Sequence, residues 1–292
     1  MIPRRTLDTS AAYAHCEAVV RRSGSSFAAA FWLLPKPKRR AVHAIYAFCR
    51  MADDIGDEPG IALDRAQLLD RWKSELEAAY RNKAVHPVGV ALADCVQRYR
   101  LPEDLFVELL LGVESDLSGA RFDTFEDLRR YCHRVASTVG LLLVRVIGYR
   151  NPGSLAYAEN MGIAVQLTNV LRDIGADAAM GRIYLPSEDL DRLDVSPADL
   201  ERREMSDPVR LLLGFYAERA RLFYDRADAL LPAEDRRALL PAAAMGRIYR
   251  VLLDELQRRG FPCLETSLRL SQARRVAIAA SVCASGWMGR PA

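Results

Sequence analysis

The chain has 292 residues, of which half are hydrophobic and 27% are charged, and its formal net charge is +3. This length and composition are typical of a soluble globular protein with a large core. The small basic excess provides no basic face of the kind that binds nucleic acid, so we expect no nucleic-acid partner. It is compatible with an anionic ligand or a membrane surface.

The N-terminus and the cysteines favour a cytoplasmic protein. The first residues, "MIPRRTLDTSAAYAHC", carry charge but lack the apolar segment of a signal peptide. Six cysteines are scattered without C-x-x-C spacing and form no zinc pattern with the four histidines. We interpret them as reduced core residues.

Helical periodicity continues along nearly the whole chain, and alternating strand patterns are absent from the sequence. Pro and Gly separate the periodic segments at "DEPG", "RLPED", "YRNPGS", "YLPSED" and "SDPVR", in that order. No low-complexity linker divides the chain, so we expect one all-helical domain over residues 1–292. Apolar residues recur three and four positions apart, as in Leu105, Leu109 and Val113, and then in Val135, Val139, Leu142 and Val146.

The longest apolar runs do not predict a membrane span. "VGLLLVRVIGY" and "VAIAASVCASGWMG" are shorter than the roughly 18 to 20 residues that a spanning helix needs. The second run follows the basic stretch "RLSQARR", which is compatible with peripheral membrane contact, although packing on the domain is the simpler interpretation.

The stretch "YAFCRMADDIGDE" places carboxylates where a helix should face its core. Residues four apart on a helix have Cβ atoms about 5 to 6 Å from each other, so Asp53 and Asp57 share a face, with Asp54 beside them and Arg50 one turn earlier. A solvated face is the ordinary interpretation of such a helix. The preceding "AVHAIYAFC" is too apolar for that interpretation and indicates an interior position.

The stretch "NVLRDIGADAAMGRIYLP" repeats the pattern more than a hundred residues later. Helical spacing aligns Gln166, Asn169, Asp173 and Asp177 in one polar stripe, which follows the apolar "MGIAVQL". Interior carboxylates need a compensating cation. Carboxylate and amide oxygens suit Mg²⁺, which substrate phosphates complete, and arginines beside them suit the same phosphates. The two stripes therefore predict a diphosphate-binding cleft inside a helical bundle.

These segments resemble the head-to-head prenyl synthases, which comprise squalene, phytoene and dehydrosqualene synthases and their bacterial relatives. The similarity lies in "SGSSFAAAFWLLPKPKRRAVHAIYAFCRMADDIGDE", "YCHRVASTVGLLLVRVIGY" and "AENMGIAVQLTNVLRDIGADAAMGRIYLP". It implies the all-α isoprenoid synthase fold, in which two Asp-rich helices face each other across a central cavity and Mg²⁺ ions bridge them to the substrate diphosphates.

The resemblance also implies roles for individual residues. Near the C-terminus Ser267 stands where relatives have a phosphate-binding Arg, which Arg269 could replace. The implied metal ligands are Asp53, Asp57, Asn169, Asp173 and Asp177. The implied diphosphate-binding residues are Arg50, Arg172, Tyr184 and Tyr249, and those lining the substrate cavity are Ser26, Phe27, Phe31 and Tyr131. Gln166 and Asn169 of the polar stripe are further predicted substrate-binding residues.

Within the family, "SGSSF", "YCHRVASTVGLL" and "GRIYLP" are most similar to bacterial presqualene diphosphate synthases of hopanoid pathways. This similarity predicts Mg²⁺-dependent condensation of two farnesyl diphosphates to presqualene diphosphate, which a squalene-forming partner enzyme would then process. The alternatives are phytoene or dehydrosqualene synthase, and, in another class, an inactive relative that serves as an assembly protein. The complete acidic motifs favour an enzyme, but they do not separate the enzymes from one another.

Overall fold

The computed structural model describes residues 8–23, 30–32, 34–57 and 62–287, and these residues form helices without any strand. The predicted all-α class is confirmed. A π-helical segment spans His133–Ser137, and a 3₁₀ turn spans Pro262–Leu264. The α-helices are α1 Thr9–Ser23, α2 Lys36–Asp57, α3 Ala62–Tyr80, α4 Pro87–Tyr99, α5 Glu103–Leu117, α6 Phe125–Cys132, α7 Thr138–Ile147, α8 Gly153–Ala179, α9 Ser187–Arg192, α10 Pro197–Glu201, α11 Asp207–Leu230, α12 Leu240–Arg258 and α13 Gln272–Trp287.

Local sequence determines where several of these helices begin. Thr124 and Asp127 form a reciprocal capping box at the start of α6, which satisfies backbone N–H groups that have no partner inside the helix. Ser206 caps α11 by accepting a hydrogen bond from the backbone N–H of Val209 at 3.3 Å.

The apolar periodicity seen in the sequence faces one continuous core. Leu105, Leu109 and Val113 on α5 are buried in it, as the spacing predicts. Val135 and Val139 are only half-buried, because they line an internal cavity. All six cysteines carry free thiols.

The 27-residue helix α8 lies at the centre of the fold. It packs against α11, α12, α7 and the π-helical segment. A Cβ atom at Gly162 would lie 2.5 Å from the Ser137 Cα, so only glycine lets α8 approach the π-helical segment this closely. This approach places one face of α8 along the cavity. Over the described ranges, no helix is both long and apolar enough to cross a membrane.

Candidate active site

Two adjoining chambers lie between α2, α8 and their neighbours. The polar chamber has a volume of about 300 Å³ and the apolar chamber about 320 Å³. Both are lined by Arg50, Asp53, Val135, Gln166, Asn169 and Arg172. The polar chamber is also lined by Gly56, Val113, Asp116, Tyr131, Val170, Asp173, Asp177, Arg182 and Tyr184. The apolar chamber is also lined by Tyr46, Cys49, Ala136, Val139, Gly140, Leu143, Val144, Tyr157, Ala158, Met161, Gly162, Val165, Ala242, Met245 and Tyr249.

The two chambers adjoin each other and differ in chemistry, since one has mostly polar and the other mostly apolar walls. Because the six shared residues stand at the junction, a ligand in the apolar chamber can place its head group directly among the carboxylates and arginines. Cavities with apolar walls and a few convergent polar groups are typical of small-molecule sites.

The second acidic stripe lies along this space as the helical spacing predicts. Gln166 and Asn169 line both chambers, and Asp173 and Asp177 line the polar one. Asn169 Nδ2 donates to Gln166 Oε1 at 3.2 Å, whereas the buried Asn169 Oδ1 accepts no hydrogen bond from any described residue. A buried acceptor without a partner is costly and indicates a missing ligand.

Arg172 and Asp173 form a two-point ion pair in the polar chamber. Arg172 Nε donates to Asp173 Oδ1 at 2.8 Å, and its Nη2 donates to Asp173 Oδ2. Burial acts to lower the pKa of Arg172, but its hydrogen bonds with Asp173 and Tyr249 outweigh burial and raise the pKa above its usual range. Arg172 therefore stays positively charged. Ser267 Oγ also donates to Asp173 Oδ1, at 3.2 Å.

The first acidic stripe, on α2, is more exposed to solvent. Asp53 and Asp54 are both exposed, and Arg50 forms an ion pair with Asp54 at 2.5 Å. Asp53 lines both chambers, whereas Asp54 lines a separate surface cavity together with Trp72. The two adjacent carboxylates therefore face different cavities. Asp57 ends α2, and its side chain lies outside the described residues.

A carboxylate that the sequence reasoning missed organises the two tyrosines of the polar chamber. Tyr131 and Tyr184 each donate a hydrogen bond of 2.9 Å to Asp116, and their rings stack 5.2 Å apart. Burial and the charge of Asp116 raise the pKa of both phenols well above the usual range. Both tyrosines are therefore neutral hydrogen-bond donors. Asp116 lies in "GVESDL" on α5, where its spacing alone does not distinguish it from a surface acid.

Arg182 was also missed, although it lies within the quoted "GRIYLP". It lines the polar chamber, and its Nη2 donates to the Gly56 carbonyl at 2.8 Å. This bond connects the loop after α8 to the end of α2.

Three of the remaining predicted residues line the chambers, and the others do not or lie outside the described residues. Tyr249 lines the apolar chamber beside Arg172, and Tyr131 and Tyr184 line the polar chamber. Phe31 is completely buried in the hydrophobic core, so its contact with a substrate stays a prediction. Ser26 and Phe27 lie outside the described residues.

The donor set fits a hard divalent cation such as Mg²⁺. Within the described part of the chain, no three His, Cys, Asp or Glu side chains lie close enough together to hold a metal ion by themselves. Instead, separate carboxylates on α2 and α8 line one chamber together with the unpartnered Asn169 Oδ1. Such an open oxygen set suits Mg²⁺, which keeps waters and shares substrate phosphates.

Comparison with known proteins agrees with this fold. Residues 20–278 match the Squalene/phytoene synthase family, and the chain belongs to that family. A phytoene synthase from Arthrospira platensis is 36% identical over 265 residues, which cover 86% of each chain. A crystal structure of a dehydrosqualene synthase with ligand is 30% identical with a TM-score of 0.84, covering 94% of this chain and 96% of that one. The squalene synthase HpnC from Alicyclobacillus acidocaldarius is 28% identical with a TM-score of 0.77, covering 88% and 97%. The predicted isoprenoid synthase fold is confirmed.

Proposed function

We propose that the protein is an active head-to-head prenyl synthase and that its substrates are two geranylgeranyl diphosphates, which it converts to phytoene. The observation that carries an enzymatic function is that the polar chamber adjoins the apolar chamber along α8 and shares six lining residues with it. The choice of geranylgeranyl diphosphate as the substrate is supported by the relative from Arthrospira platensis, which is a phytoene synthase. The relatives thus favour phytoene synthase, an alternative in the sequence analysis, over presqualene diphosphate synthase.

A second candidate is condensation of two farnesyl diphosphates to presqualene diphosphate, which the sequence motifs predict. It is supported by the structural similarity to a dehydrosqualene synthase and to a squalene synthase. Peripheral membrane contact and a partner enzyme that processes the cyclopropyl product stay predictions.

Mg²⁺ would be held by Asp53, Asn169, Asp173 and Asp177, with Asp57 as a further predicted ligand. When bound, it would neutralise the substrate diphosphate and favour its departure. Asn169 would contribute the Oδ1 atom that accepts no hydrogen bond from the described residues.

The arginines and tyrosines of the polar chamber would bind the diphosphate. Arg172 keeps its charge and offers a planar donor set that suits phosphate oxygens. Asp173 accepts two hydrogen bonds from Arg172 in this structure and so fixes the orientation of the guanidinium beside the diphosphate site. Tyr131 and Tyr184 would add neutral donors, held in orientation by Asp116.

The apolar chamber would hold the prenyl tails and exclude water. In the first half of the reaction, the C1–O bond of one prenyl diphosphate breaks and releases diphosphate. The double bond of the second prenyl diphosphate then attacks the allylic cation, and loss of one proton gives a cyclopropylcarbinyl diphosphate. Apolar walls such as Val139, Leu143 and Met161 protect the cation from hydrolysis. Phytoene formation continues by a second ionisation, rearrangement and proton loss, without a reductant.

Product analysis tests this proposal. Purified protein with Mg²⁺ is incubated with either farnesyl or geranylgeranyl diphosphate, and products are identified by mass spectrometry. We expect phytoene from geranylgeranyl diphosphate, with two diphosphates released per phytoene. Presqualene diphosphate from farnesyl diphosphate, with one diphosphate released and no effect of NADPH, would instead establish the second candidate. No diphosphate release from either substrate would favour the inactive assembly protein.

A further inference from the structure

The wall of the apolar chamber formed by α8 changes from polar to apolar along one helical face. Asn169, Val165, Met161 and Tyr157 are spaced four residues apart and all line the chamber. At 1.5 Å per residue, Tyr157 lies about 18 Å along the helix axis from Asn169. Tyr157 is therefore the chamber-lining residue of α8 farthest from the carboxylates.

The helices converge beside Tyr157. A Cβ atom at Gly140 on α7 would lie 3.0 Å from the carbonyl oxygen of Ala158, so the backbones of α7 and α8 are in close contact next to this tyrosine. Tyr157 itself is 1% exposed and is among the largest completely buried side chains. A bulky ring thus occupies the place where the space between the helices closes.

The Tyr157 hydroxyl makes no hydrogen bond with any residue that the structure describes. The carboxylate of Asp228 is near enough to add to the effect of burial, and together they raise the pKa of the Tyr157 phenol. Asp228 forms an ion pair with Arg250 at 2.9 Å, outside the apolar chamber. The ring therefore separates the apolar chamber from a charged surface network, and ring size is what this position supplies.

We propose that Tyr157 is the floor of the apolar chamber and determines the length of prenyl tail that the enzyme accepts. This inference rests on the proposed function, because it assigns a specificity role within the same substrate site. A tail whose diphosphate lies at Asn169 and Asp173 extends along α8 until it meets the Tyr157 ring. Removing the ring lengthens the chamber, so the preference moves toward the prenyl diphosphate that is one isoprene unit longer.

The test is the ratio of kcat/KM for the longer over the shorter prenyl diphosphate, measured with farnesyl, geranylgeranyl and geranylfarnesyl diphosphates. Tyr157→Ala is expected to raise this ratio about tenfold or more, since a few methylenes in an apolar pocket give discrimination of that order. Tyr157→Phe keeps the ring and is expected to leave the ratio within about twofold. Tyr157→Leu, with an intermediate side chain, provides the same comparison if the alanine variant does not fold.

Leu212→Ala is the matched control, because Leu212 is completely buried on α11 away from both chambers. It should lower thermal stability without changing the ratio. An unchanged ratio in folded Tyr157→Ala and Tyr157→Leu, or an equal change in Tyr157→Phe, would overturn the assignment. The substrate preference of the wild type tests the proposed function separately. A wild type that prefers farnesyl diphosphate refutes phytoene synthesis. The change of the kcat/KM ratio in the Tyr157 variants still tests whether Tyr157 is the floor of the chamber.

Discussion

The two acidic helices differ in how completely the protein holds their side chains. On α8, Asp173 receives hydrogen bonds from Arg172 and Ser267, and its side chain is 30% exposed. On α2, Arg50 and Asp54 pair with each other at 44% and 49% exposure. The α8 side is therefore already arranged by protein contacts. The described carboxylates of α2, Asp53 and Asp54, are more exposed to solvent.

This difference indicates that the two helices have different roles at the site. Groups held in position before binding reduce the cost of reaching the reactive geometry. We expect α8 to provide the fixed part of the diphosphate site and α2 the part that a metal and a substrate complete. Neutralising a carboxylate should lower kcat/KM strongly on both helices. A substitution that keeps the charge but changes the hydrogen-bond geometry should lower kcat/KM more on α8 than on α2.

Neutralising the carboxylates should have the largest effect. Asp53→Asn and Asp177→Asn should each lower kcat/KM by about a thousandfold or more, because an amide cannot supply the anionic charge that holds the cation at the departing diphosphate. The measurement is Mg²⁺-dependent diphosphate release, with circular dichroism to show that the fold is intact.

Asp70→Asn is the control for these two variants, since Asp70 is an exposed acid on α3 with 73% side-chain exposure. It should retain wild-type activity. EDTA should inactivate the wild type, and added Mg²⁺ should restore it. Activity retained in both Asp53→Asn and Asp177→Asn would contradict the assignment of the metal site.

Changing the arginines should separate the two helices. Arg172→Lys keeps the charge but loses the two-point geometry, and at about 1.5–3 kcal/mol for hydrogen bonds to charged groups we expect about a hundredfold loss of kcat/KM. Arg50→Lys should lose only about tenfold, because its more exposed ion pair is weaker and solvent competes with it.

Both arginine variants are compared by steady-state kinetics at saturating Mg²⁺. Equal losses of kcat/KM in Arg172→Lys and Arg50→Lys would show that the fixed position of Arg172 does not contribute to activity. A larger loss at Arg50 would reverse the comparison and make α2 the principal diphosphate-binding helix.

Sequence reasoning found those features that depend on local spacing. The stripe of Gln166, Asn169, Asp173 and Asp177 could be read directly, since residues on one helix have a fixed relation to one another. The apolar periodicity of α5 likewise predicted buried residues correctly.

The features that escaped prediction join distant parts of the chain. Asp116 acquires its role only because Tyr131 and Tyr184 reach it from 15 and 68 residues away. Tyr157 resembles any core aromatic residue in the sequence, and its position beside the closing helices depends on the packing of α7 on α8. Such contacts follow from tertiary packing, which no local pattern encodes.

The smallest predicted effect concerns the contact between Ser267 and Asp173, which are 94 residues apart in the chain. Removing one hydroxyl donor to a half-buried carboxylate should cost about 1 kcal/mol, or about a fivefold change. Ser267→Ala should therefore raise the Mg²⁺ concentration for half-maximal activity about fivefold, because Asp173 would be less well positioned. Ser267→Thr, which keeps the hydroxyl, should remain near the wild-type value.

Arg269 distinguishes this positioning role from phosphate binding. Arg269 is exposed. If it replaces the phosphate-binding Arg that relatives have at the position of Ser267, Arg269→Ala should raise KM for the prenyl diphosphate several-fold without changing the Mg²⁺ requirement, since the lost charge acts on the substrate and not on a metal ligand. Steady-state kinetics with each component varied in turn separates the two effects.

If Ser267→Ala alters KM for the prenyl diphosphate and leaves the Mg²⁺ requirement unchanged, the contact with Asp173 does not support the metal site, and the fixed part of α8 ends at Arg172.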